Sequence, residues 1–122
     1  HCRMCQRATG GIFAALAGGA PANFEWTRGT PGFFASSNLA QRAFCAKCGT
    51  PLSFKYESPE ARMYVTIGSL DHPERAPIGK QFGIESRLPW VKFCEEVPGE
   101  VTGATPGGQE YLANMLSQQR GE

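Results

Sequence analysis

The stretch from Gly32 to Tyr56 reads GFFASSNLAQRAFCAKCGTPLSFKY, and its patterning decides the fold. Gly32 to Ser37 (GFFASS) and Leu39 to Phe44 (LAQRAF) have the length and residue content of two short strands leading into a C-x-x-C turn. Beyond that turn Leu52, Phe54 and Tyr56 alternate with Ser53 and Lys55, the period of a half-buried strand. Gly49 stands directly after Cys48, so the backbone can turn with φ > 0 while amide groups point at the sulfurs.

Working outward, Met63 to Ile67 (MYVTI) supplies a β-branched strand after a turn at Ser58-Pro59. On the N-terminal side, a Cys2–Cys5 knuckle is followed by a turn over Gln6 to Gly11 and a buried strand over Ile12 to Ala17. Phe24 and Trp26 alternate with Glu25, a half-buried strand pattern ending at Gly29; these two rings, with Phe33 and Phe34, are expected in the core. Asp71 to Pro77 is expected as a turn with one helical turn after Pro73, capped by Asp71. Gln81 to Glu85 reads as a short strand before Leu88-Pro89-Trp90.

From Val97 to Gly108 the composition becomes linker-like, and Gln109 to Arg120 then places Tyr111, Leu112, Met115 and Leu116 at helical spacing. So short a helix is marginal alone and needs a surface to dock on. The expectation is an all-β fold of compact antiparallel sheets over residues 1–96, followed over 97–122 by a Pro/Gly linker and a short C-terminal helix.

The 122 residues suit one domain with its own core, and 15 Gly and 9 Pro favour many short strands over long helices. A net charge of +1, with the basic residues scattered, argues against a phosphate-backbone footprint and so against nucleic acid as a partner. No apolar run approaches the ~20 residues that cross a bilayer. Five cysteines are an odd count, and four fall into two C-x-x-C pairs, a poor framework for secreted disulfides. A soluble protein of a reducing, cytoplasmic compartment is expected. Because His1 is not a methionine and half a metal knuckle opens the chain, a preceding N-terminal segment is expected as well.

The pairs are Cys2 with Cys5 (CRMC) and Cys45 with Cys48 (CAKC). Two cysteines three apart can present both thiolates to one ion, which is how tetrahedral Zn2+ sites are commonly assembled. The interval from Cys5 to Cys45 exceeds the ~15–20 residues of ribbon-type sites, so either strands are inserted between the halves or the halves bind different ions. A redox couple would open a helix within a βαβ unit, and no helical pattern follows either pair. Cys94 stands alone as an expected thiol without a ligand role, and His72 reads as a solvated turn residue.

The blocks HCRMCQRATGGIFA, FCAKCGTPL, VTIGSLD and GIESRLPW, in that order, resemble the glutathione-dependent formaldehyde-activating (GFA, or CENP-V/GFA) family over about residues 1 to 93. The resemblance implies a β-domain of stacked antiparallel sheets with two zinc sites. Cys45 and Cys48 would be half of a structural site, and Cys2 and Cys5 two of three ligands of a catalytic one. It implies a carbon-sulfur lyase-type reaction on a small thiol adduct such as S-hydroxymethylglutathione, with Arg7, Ser86, Arg87 and Trp90 as candidate pocket residues. The departures are a cysteine that the family carries before its histidine and an N-terminal C-x-C strand. A homodimer is a further expectation. The alternative function is a non-catalytic zinc-binding module for protein interaction, and chromatin binding, as in CENP-V-type relatives, is disfavoured by the near-neutral charge.

Overall fold

The computed structural model describes residues 1–92, 100–114 and 116. Two compact units divide the chain, His1–Leu88 and the part from Pro89 onward.

The first unit is built on one antiparallel sheet of β1 (Leu16–Gly19), β2 (Gly32–Ser37), β3 (Ala40–Phe44), β4 (Pro51–Tyr56) and β5 (Met63–Thr66), in the order β1-β5-β4-β3-β2. The two short strands expected before the second C-x-x-C turn, β2 and β3, and the alternating one after it, β4, form nearly where the sequence places them, and β5 falls within the β-branched run. The resemblance led to an expectation of stacked sheets; among the described residues there is a single one.

Register sorts the side chains into two chemically different faces. Phe34 pairs with Arg42, Arg42 with Phe54, Phe54 with Tyr64 and Tyr64 with Gly18, so this row shares one face. The neighbouring row, Phe33, Ala43, Ser53, Val65 and Ala17, points the other way. Irregularities between Ala35 and Ser37 and between Ala43 and Phe44 flank these rows. The most buried described side chains of the unit, Ala40, Ala43, Ser53 and Gln6, are small or polar, and the sheet centre is where β3 meets β4.

Several expected elements take another form. The Cys2–Cys5 knuckle and the turn after it are a helix, α1 (Arg3–Thr9), ended by Gly10 at φ 69°. Arg, Met, Gln and Ala are good helix formers, and Gly in the left-handed conformation is the usual stop. The strand expected over residues 12–17 is shorter and later, because Gly10 and Gly11 are followed by bends before β1 begins. Phe24 and Trp26 lie in an irregular segment after a 3-10 turn at Pro21–Asn23 and pack edge to face at 4.8 Å. Nor are these rings core: Trp26 is 37% exposed, Phe33 51% and Phe34 63%. The strand expected at residues 81–85 is instead a 3-10 turn at Ile84–Ser86. The helical turn after Pro73 does form, over Pro73–Arg75, but His72, not Asp71, occupies its cap and makes no side-chain cap bond.

In the second unit a 3-10 turn at Thr102–Ala104 leads into α2 (Pro106–Asn114), which starts three residues earlier than expected. Thr105 supplies the reason: its Oγ1 accepts the amide of Gly108 at 3.0 Å, and Pro106 occupies the first helical position. Tyr111 and Leu112 are exposed on α2 and Leu116 lies past its end, while Met115, Cys94 and residues 117–122 fall outside the described residues.

Candidate functional site

α1 is anchored by its one buried side chain, Gln6. Its Nε2 donates to the carbonyls of His1 at 2.8 Å and Ser86 at 3.1 Å, while its Oε1 accepts from Arg3 Nη1 at 2.9 Å. This ties the helix start to the 84–86 turn. Gly83, at φ 65°, sits so close that a Cβ there would lie 2.8 Å from the Cys2 amide nitrogen. The Cys2 backbone is thus walled in from that side.

Cys2 is the N-cap residue of α1. Its sulfur makes no cap hydrogen bond of strict geometry, yet the amides at the helix start face it closely enough to hold its pKa below the ordinary thiol value. The Cys5 amide contributes most; partial desolvation opposes it; the Met4 amide, the Cys5 thiol and the charge of Arg42 add smaller pulls. Cys2 and Cys5 carry no disulfide.

Arg42 reaches the pair from the sheet. Its Nη2 lies 3.4 Å from Cys5 Sγ, and its guanidinium carbon lies 4.8 Å from the centroid of the Phe54 ring, its cross-strand neighbour. Within a strand alternation Arg42 looks like any outward-facing polar side chain, so sequence reading passed over it. Only the register, together with α1 laid over that face, reveals its position.

Between α1 and this face of the sheet lies a cleft of about 470 Å³, within the range of small-molecule sites. Arg7 and Met4 of α1, Phe34 of β2, Arg42 of β3 and Phe54 of β4 line it. A smaller cleft of about 220 Å³ on the opposite face takes Phe24, Trp26, Phe33 and Lys55 among its walls. The aromatic residues expected in a shared core therefore line two separate clefts.

The other candidates are placed as follows. Ser86 faces α1 through its carbonyl, Arg87 is exposed, and Trp90 belongs to the second unit and is 64% exposed. Cys45 and Cys48 bracket the tight turn between β3 and β4. The Gly49 amide donates to the Cys45 carbonyl at 2.7 Å, the Cys45 amide to that of Thr50 at 2.8 Å, and Gly49 has the positive φ its position demands, 77°. Cys48 Sγ is 3.0 Å from Thr50 Oγ1.

Each pair offers two soft donors at the spacing of half a tetrahedral thiolate site, and the lowered pKa of Cys2 suits metal ligation. Among the described residues no group of three or more His, Cys, Asp or Glu side chains comes together. Each pair thus fits half of such a site, and no whole one is assembled from described residues. Contrary to the expectation from sequence, Cys2–Cys5 does open a helix, as a redox couple would. That helix precedes an antiparallel sheet, however, and belongs to no βαβ unit.

A β-rich domain with a cysteine pair at a helix start, beside an arginine-bearing cleft, narrows the class. The family model of the glutathione-dependent formaldehyde-activating enzyme matches residues 1–83, and the chain belongs to that family. Searches of curated proteins and of solved structures found no match. No described helix is long and apolar enough to cross a membrane.

Proposed function

We propose that this chain is a zinc-dependent, carbon-sulfur lyase-type enzyme that makes or breaks the adduct of a small thiol with an aldehyde, such as S-hydroxymethylglutathione. One observation carries the reading: Cys2 and Cys5 stand at the helix start, with amides and Arg42 stabilising negative charge on the Cys2 sulfur and Arg42 in contact with Cys5, beside a cleft of substrate size. In the condensation, the substrate sulfur attacks the aldehyde carbon, a C–S bond forms, and the carbonyl oxygen gains the proton the thiol gives up. The lyase direction returns that proton to sulfur as the bond breaks.

Cys2 and Cys5 would hold Zn2+, which when bound keeps a thiol ionised near neutral pH. Cys45 and Cys48, in their rigid turn, would hold a structural ion. Arg7 lines the cleft and serves substrate binding; Ser86, in the turn that anchors α1, Arg87 directly after it, and Trp90 are further substrate-contacting candidates on the strength of the sequence resemblance. We place the protein in the cytoplasm, as a homodimer, with no nucleic-acid partner. The competing reading, a non-catalytic interaction module, draws support from the exposed Tyr111 and Leu112 of α2.

The test is metal content together with turnover. The expected results are at least one zinc per chain in a metal-replete preparation, formation of the glutathione–formaldehyde adduct above the uncatalysed rate, and, in Cys2→Ser and Cys5→Ser, loss of adduct formation with a lowered zinc content, the ion at Cys45 and Cys48 being retained. Less than one zinc per chain, or unchanged adduct formation in both variants, refutes the proposal.

A further inference from the structure

Arg42 is only partly satisfied by the fold. One of its N–H groups reaches the sulfur of Cys5, its Nε is buried with no hydrogen-bond partner, and its plane is held against Phe54. Among the described residues no acid pairs with it or with Arg7, and no Asp or Glu stands among the residues lining the cleft that both arginines share. A guanidinium that meets only sulfur and keeps an unpartnered Nε, beside apolar walls such as Met4, Phe34 and Phe54, still lacks the oxygen acceptor that a carboxylate supplies best.

We infer that Arg42 is the specificity-determining residue of this site: it binds a carboxylate of the substrate in the cleft between α1 and the sheet. The inference rests on the proposed reaction for its choice of a thiol adduct as ligand, and it adds that the adduct must be anionic. Small neutral thiols are poor substrates because they leave Arg42 without its acceptor. The same guanidinium faces Cys5, so a carboxylate held there sets the distance between the substrate body and the cysteine pair. Arg7, from the opposite wall, adds charge of the same sign.

The experiment measures equilibrium binding, by calorimetry, of S-methylglutathione and of its dimethyl ester. The thioether has no thiol to ionise, so its binding needs neither metal nor chemistry. The free acid is expected to bind about tenfold more tightly than the ester, the size of effect a charge-assisted, fork-like contact brings. In Arg42→Met, which keeps the stem over Phe54, the preference should fall to near unity. In Arg42→Lys, which keeps the charge without the planar fork, a reduced preference should survive.

Equal binding of acid and ester by the unaltered chain, or binding of neither, overturns the inference, as does an undiminished preference in Arg42→Met. The comparison in the unaltered chain stands even if a variant fails to fold. A chain that lacks zinc and forms no adduct yet prefers the free acid through Arg42 would refute the proposed reaction and leave this assignment intact.

Discussion

Arg42 Nη2 lies 3.4 Å from Cys5 Sγ, joining a central strand to the first helix across 37 positions of sequence. The contact exists because β3 pairs with β4 in a register that sets Arg42 opposite Phe54, and because α1 lies over that same face. Neither partner is in a motif with the other. Their meeting is a product of the tertiary structure.

Cys2 should react as a thiolate at lower pH than an ordinary cysteine, whose pKa is about 8.5. In chelator-treated protein, alkylation by iodoacetamide followed against pH should show a midpoint below that value, and tryptic cleavage after Arg3 separates Cys2 from Cys5 for mass spectrometry. The folded state favours the ionised form, so this stabilisation is present above the unfolded thiol's pKa and is lost as pH falls through the folded one. Arg42→Met should raise the midpoint only slightly, since the Cys5 amide is the larger cause. An ordinary midpoint would mean that the helix-start amides do not face the sulfur.

Gln6→Leu keeps the volume but leaves the carbonyls of His1 and Ser86 without their donor and Arg3 without its acceptor. A loss of about 1–3 kcal/mol is expected from stranding buried polar groups. Chemical denaturation should show a lowered midpoint with an unchanged slope.

Two glycines should respond unequally to alanine. At Gly49 nothing lies within 4 Å of the new Cβ, so only the positive φ is penalised, about 1–2 kcal/mol. At Gly83 the same conformational cost is joined by a collision with the Cys2 backbone. Thermal melts should therefore rank Gly83→Ala as the more damaging, and it alone should slow Cys2 alkylation.

Thr105→Ala should cost α2 about 1 kcal/mol, the usual worth of an N-cap. Gly108→Ala should be worse, because the Thr102 carbonyl occupies the space its Cβ would need. Hydrogen exchange of the amides from residue 106 to 114 should rise in both variants, more in the second.

Period-two stretches were legible: Leu52, Phe54 and Tyr56 against Ser53 and Lys55 announce β4, and Gly49 announces the turn before it. α1 was not, although its helix formers and the terminal Gly10 were in view, because a C-x-x-C pair reads first as a metal turn and so short a helix has little periodicity to show. Phe24 and Trp26 alternate as a strand would, yet they pack on each other instead of joining a ladder. Within the site, the cysteines are visible as a motif, whereas Arg42 is not: strand position says which face a side chain takes only after the register is known. Helix α2 was legible from Tyr111 and Leu112, but its start was hidden by a Gly-Gly first turn, which composition assigns to a linker.

Face identity on β3 is settled by a single step of the backbone. Arg42 and Ala43 are neighbours with opposite outlooks, and the irregularities at Ala35/Ser37 and Ala43/Phe44 bracket the place where that choice is made. Inserting or deleting one residue in the β2–β3 hairpin could therefore trade a cation for a methyl group in the cleft without altering strand content. A circular dichroism spectrum would pass such a variant as native. Only a ligand that needs the charge would report the inversion, which makes loop length in this hairpin a chemical variable as well as a structural one.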